Sequence, residues 1–150
     1  MTLADELLAL FDLTTNASSP DTRAGPTAAA LQTHFEPRAK AITMAGPKLD
    51  MPAWASGASG ADDIYVELGG PAIGVRLWDD PRGWGTYAEL AVNASLDEVA
   101  AATGPLAAVP RGPSGGPATS AAYVHRAGRQ LRVFAKHRDG EVFSVLVHYP

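Results

Sequence analysis

The sequence predicts an α+β fold in which two helix-plus-three-stranded antiparallel meander repeats form a largely antiparallel sheet with helices on one face. Three observations lead there. The first is a self-match at an offset of 58 residues. Gly46-Pro47 falls on Gly104-Pro105, Pro52 on Pro110, Ser56-Gly57 on Ser114-Gly115, Tyr65-Val66 on Tyr123-Val124, Gly70 on Gly128 and Val75 on Val133. A fixed offset marks a repeated supersecondary unit, and here the Tyr-Val and Val matches cost more than the Gly, Pro and Ser ones. The second is turn chemistry, above all Asp139-Gly140 between two alternating apolar runs, because both central residues of a type I′ hairpin turn need positive φ. The third is Ser95-Leu96-Asp97-Glu98, a capping box in which hydroxyl and carboxylate satisfy two helix N-terminal amides reciprocally.

These units divide the chain into an N-terminal helix and linker (residues 1–26), a first helix-meander repeat (27–92) and a second (93–150). Leu3, Leu7, Leu10 and Phe11 follow helical spacing, and Thr2 with Asp5 forms a possible capping box. The first helix should therefore lay an apolar stripe on the main body. Residues 14–26, TTNASSPDTRAGP, are turn formers without apolar periodicity and read as an exposed linker. Thr27 to Phe35 offers a helix. Pro37 suits the first position of another, ending near Gly46-Pro47, with a strand over Ala39 to Ala45 as the alternative. In the second unit Gly104-Pro105 ends the helix that Ser95 opens.

Each unit then passes through a Pro/Gly/Ser-rich loop, Lys48 to Ala61 and Leu106 to Ser120, into three strands. They are Ile64 to Leu68, Ile73 to Trp78 and Thr86 to Val92 in the first unit, and Ala121 to Arg126, Arg129 to Arg138 and Glu141 to Tyr149 in the second. Strand alternation sends successive side chains to opposite faces. Ile64, Val66, Ile73, Val75, Leu77, Val124, Leu131, Val133, Val142 and Leu146 fall on the face that helices should cover, joined by Ala88, Leu90 and Val92. Tyr65, Arg76, Trp78, Tyr123, His125, Arg132, Phe134, Lys136, Phe143 and Tyr149 fall on the other. Trp84 stands apart, in the acidic turn Asp79 to Gly85.

Composition narrows the function classes. A globule of 150 residues buries roughly 70% of its unfolded surface, enough for a core. A net charge of −4 opposes binding to nucleic acid or to an anionic membrane, since both are driven by a basic field. Zero Cys removes disulfides, thiolate catalysis and zinc-finger sites. With Asp5 and Glu6 where a signal peptide needs basic residues, and no transmembrane run, the expectation is a cytoplasmic protein. His34, His125, His137 and His148 do not converge for a metal, and an uninterrupted β-ladder sets His148 opposite Leu131. Ser144, His137 and Asp139 lack a nucleophile elbow. Asp62-Asp63 and Asp79-Asp80 point apart as neighbours in extended chain, and the Gly-rich turns lack a phosphate-loop Lys. Neither cofactor nor metal is expected.

The helix-then-three-strand plan, with Ser95-Leu96-Asp97-Glu98-Val99, Thr103-Gly104-Pro105 and Tyr123 to Tyr149, resembles tandem beta-lactamase-inhibitor-protein folds and the single SmpA/OmlA (BamE-like) unit. Asn93 stands where that family has a leading Gly, and the loops are longer. The resemblance implies protein binding through a sheet face, without catalysis. The residues point the same way, because exposed Trp, Tyr and Arg dominate interface energetics. The expected function is a non-enzymatic protein-binding module, an inhibitor or toxin-neutralising immunity protein, contacting another protein through Tyr65, Arg76, Trp78, Trp84, Tyr123, Arg132, Phe134 and Tyr149. A small-molecule binder or an enzyme of unfamiliar site is the alternative, and a homodimer closing on the same face is a third reading.

Overall fold

The computed structural model describes residues 2–13, 28–44, 64–70, 72–79, 85–110, 117–126 and 128–150. Helix α1 (Leu3–Asp12) starts at the expected capping box. Thr2 Oγ1 accepts from the Asp5 amide at 3.2 Å, and the Asp5 carboxylate accepts from the Thr2 amide at 3.0 Å. Its stripe of Leu3, Leu7, Leu10 and Phe11 is buried, and so is Glu6, which lies on the same stripe. Helix α2 (Ala28–Phe35) runs into a single 3-10 turn, Glu36–Arg38. Helix α3 (Leu96–Thr103) carries the second capping box, Ser95 with Glu98, and closes on Gly104. Among the described residues no helix is long and apolar enough to cross a membrane.

Eight strands among the described residues form one antiparallel sheet. They are β1 (Ala39–Met44), β2 (Ile64–Leu68), β3 (Ala72–Asp79), β4 (Thr86–Ser95), β5 (Ala107–Val109), β6 (Ala118–Arg126), β7 (Arg129–Arg138) and β8 (Glu141–Tyr149). Their spatial order is β1-β2-β3-β4-β8-β7-β6-β5. The α+β class and the antiparallel sheet are as the sequence predicts. The expectation of six strands is corrected by β1 and β5. Residues 39–44 are strand and not helix, because Ile42 and Thr43 pair with Val66 and Tyr65, and cross-strand pairing outweighs weak local propensity. Ala107–Val109, inside the expected loop, has no strand signature of its own and is set by its ladder to Ala121, Ser120 and Thr119.

A single buried cluster joins the helix residues Leu7, Leu10, Phe11, Leu31, Phe35 and Val99 to one face of the sheet, including Val75, Leu77, Leu90, Leu131, Val133, Val145 and Val147. The β7–β8 turn is as its dipeptide dictates, with Asp139 at φ 53° and Gly140 at φ 81°.

Where alternation fails, β-bulges are the cause. Lys136 pairs with Ser144 while His137 pairs with Val142, which leaves Phe143 as an extra residue on β8. An extra residue reverses the face of everything beyond it. Val145, Val147 and Tyr149 therefore enter the core while Leu146 does not, which corrects the inward reading of Leu146 and the outward reading of Tyr149. On β3 the register passes from Ala72↔Val92 to Gly74↔Ala91, so Ile73 is extra and 49% exposed, not inward.

Tyr149 is wholly buried, and its hydroxyl donates to the Leu10 carbonyl at 2.9 Å. That carbonyl lies in the last turn of α1 and also accepts from the Leu13 amide. The strand end is also fixed from its backbone. Gly85 has φ 114°, and a Cβ there would lie 2.1 Å from the Tyr149 carbonyl oxygen. Gly85→Ala should therefore lower the unfolding free energy by about 2–3 kcal/mol, as read by urea denaturation. A change below about 0.5 kcal/mol would show that the chain end shifts freely.

Candidate binding face

Paired residues of an antiparallel ladder share a face, so the side of the sheet away from the helices is organised in cross-strand rows. One row reads Trp78, Tyr87, His148, Arg132 and Tyr123 across β3, β4, β8, β7 and β6. The next reads Tyr65, Arg76, Glu89, Leu146 and Phe134. A third sets Ala91 beside Ser144 and Ser144 beside Lys136.

The first row is built of ring contacts. Tyr87 stacks on His148, with centroids 4.6 Å apart and planes 15° from parallel. The Arg132 guanidinium lies over Phe134 at 4.8 Å and over Tyr123 at 5.5 Å. Each cation–π contact contributes about 0.5–1 kcal/mol at an exposed site, which biases the guanidinium toward the rings. Tyr123 is 57% exposed, which makes it and Ile73 the large hydrophobic side chains most open to solvent among the described residues.

Glu89, in the second row, is buried. Ser144 Oγ donates to its Oε2 at 2.5 Å, and Lys136 Nζ lies 3.6 Å from the same oxygen. Both contacts fall on the one oxygen, and they tie Glu89 to β8 and β7. Ser144 is thus bonded to Glu89, whereas His137 Nε2 lies 3.1 Å from Ser120 Oγ. The Ser144, His137 and Asp139 arrangement is not assembled. A hollow of about 460 Å³ lies elsewhere, between Thr2, Leu3, Asn93 and Glu98. Of its polar lining, Thr2 and Glu98 are already engaged in the two capping boxes.

Of the residues singled out from the sequence, Tyr123, Arg132 and Phe134 form one contiguous patch. Arg76 shares that face but is buried, which corrects its reading as a contact residue. Tyr149 belongs to the opposite side, in the core. Register places Tyr65 and Trp78 in the rows, and their side chains, like all of Trp84, lie outside the described residues. The Tyr87 and His148 stack was not foreseen. The bulge at Phe143 moves His148 from a place opposite Leu131 to one opposite Arg132, and no residue type announces it. No protein-family model, curated protein or solved structure matches the chain.

Proposed function

We propose that this chain is a non-enzymatic protein-binding module, of the inhibitor or toxin-neutralising immunity type, that binds through the sheet face opposite its helices. The observation that carries the reading is the ordered strip of Tyr87, His148, Arg132 and Tyr123 on four adjacent strands, with Phe134 beside it. Aromatic and Arg side chains supply most interface free energy, and a strip already fixed by stacking loses little rotamer freedom on association. The order helix, short strand, long connection and three strands occurs from Ala28 to Ser95 and again from Leu96 to Tyr149. We read it as an internal duplication of the kind found in tandem beta-lactamase-inhibitor-protein folds. Tyr65 and Tyr123, matched by the sequence offset, each lie on the second strand of their block.

The test is capture of partners from the native host on the immobilised full chain, repeated with Tyr123→Ala. A partner that uses this face should lose about 2 kcal/mol of binding, roughly thirtyfold, while the melting temperature of the variant stays unchanged. Equal retention of every captured protein by the wild type and by Tyr123→Ala would remove the face from the function.

A further inference from the structure

We infer that the partner of this face is a different protein that presents an Asp or Glu carboxylate to Arg132, an inference that rests on the protein-binding reading above. Arg132 is exposed on β7, with its guanidinium over the Phe134 and Tyr123 rings. A ring stacked on a guanidinium covers its face and leaves the N–H groups at its edge, whose fork matches a carboxylate bidentately. The ion pairs Arg38 with Glu6, Arg126 with Asp12 and Lys136 with Glu89 leave Arg132 out. Lys136 on the same face is paired with Glu89, whereas Arg132 is an exposed cation without an ion pair among the described residues.

The wider charge distribution agrees. Residues 1–95 hold twelve acidic and six basic side chains, whereas residues 96–150 hold four acidic and six basic ones. The negative balance of the chain thus resides in its first part, and β7 belongs to the segment whose count is net positive, which favours an acidic partner surface. A nucleic acid is disfavoured, because phosphate recognition draws on many cations at once and the chain as a whole repels a polyanion. An isologous dimer on this face is disfavoured too. Its two-fold axis would bring Arg132 of one copy toward the same positive surface of the other.

The experiment is selection of random 12-residue peptides displayed on phage against the immobilised full chain, with rebinding of the clones to Arg132→Gln, Arg132→Lys and Tyr123→Ala. The selected peptides should be enriched in Asp and Glu, and should lose about tenfold in affinity for Arg132→Gln. Arg132→Lys, which keeps the charge without the fork, should recover only part of that loss. The inference is overturned by peptides without acidic enrichment or by acidic clones that bind Arg132→Gln as well as wild type. It is also overturned by oligothymidylate binding more tightly than the clones, or by sedimentation showing that a second copy covers the face. Peptides that lack acids but still lose binding to Tyr123→Ala would remove the carboxylate while leaving the protein-binding face in place.

Discussion

Arg38→Ala is expected to lower the unfolding free energy by about 3–5 kcal/mol, because it strands a carboxylate inside the protein. Glu6 is 1% exposed on the stripe that α1 buries, and the Arg38 guanidinium reaches both of its oxygens, Nη2 to Oε2 at 2.9 Å. The same guanidinium packs over Phe35 at 5.2 Å, so the contact ties the first helix to the turn that feeds β1. The cost arises from breaking the pair and not from any large net gain in having it. Glu6→Leu combined with Arg38→Leu should accordingly regain at least half of the loss, since well-packed apolar replacements of buried pairs are often close to neutral. Chemical denaturation of wild type, single and double variants measures this. A single-variant cost below about 1 kcal/mol would mean that Glu6 finds water or another donor.

Tyr149→Ala should cost a comparable amount, about 3–5 kcal/mol, by leaving a cavity under α1. Tyr149→Phe keeps the volume and loses only the hydrogen bond to Leu10, an expected loss of about 1–2 kcal/mol. The two variants also differ in alkali. Burial holds the Tyr149 phenol well above its ordinary pKa of 10.0. In the unfolded chain the phenol gives up its proton near pH 10 while in the folded one it keeps it. Its contribution is therefore complete below that pH and declines as pH rises further. Wild-type stability should fall from about pH 10 upward more steeply than that of Tyr149→Phe. Identical slopes would show that another group governs the alkaline limb.

Signals that act over a few neighbouring residues were legible in the sequence. The capping boxes at Thr2 and Ser95, the Asp139-Gly140 turn and the strands β2, β3, β4, β6, β7 and β8 depend on hydrogen bonds and dihedral preferences available within three or four positions. The inward register of Ala88, Leu90 and Val92 was legible for the same reason. Face assignments were legible only as far as the first bulge. Ile73, Leu146, His148 and Tyr149 all lie at or beyond an extra residue that reverses alternation, and ordinary side chains such as Ile73 and Phe143 mark the places. Glu6 was out of reach because its partner is 32 positions away, and nothing near α1 distinguishes a buried carboxylate from a solvated one. The ring patch of Tyr123, Arg132 and Phe134 was legible because it lies on β6 and β7, where pairing runs without a bulge along Ala121 to Arg126.

The last strand in chain order, β8, occupies the middle of the sheet, between β4 and β7. During synthesis seven strands therefore emerge before the one that joins them, and until then β4 and β7 each present a bare edge. Pairings as distant as Thr86 with Tyr149 must then close late, and long-range closure of this kind slows folding. The hazard for a cell making this chain is concentrated in that interval, when apolar edges are open to other nascent chains. A ribosome that stalls before Glu141 would leave two half-sheets without a shared strand, joined only through the helices packed on them, so the nine residues of β8 act as the keystone of biogenesis as much as of the native state.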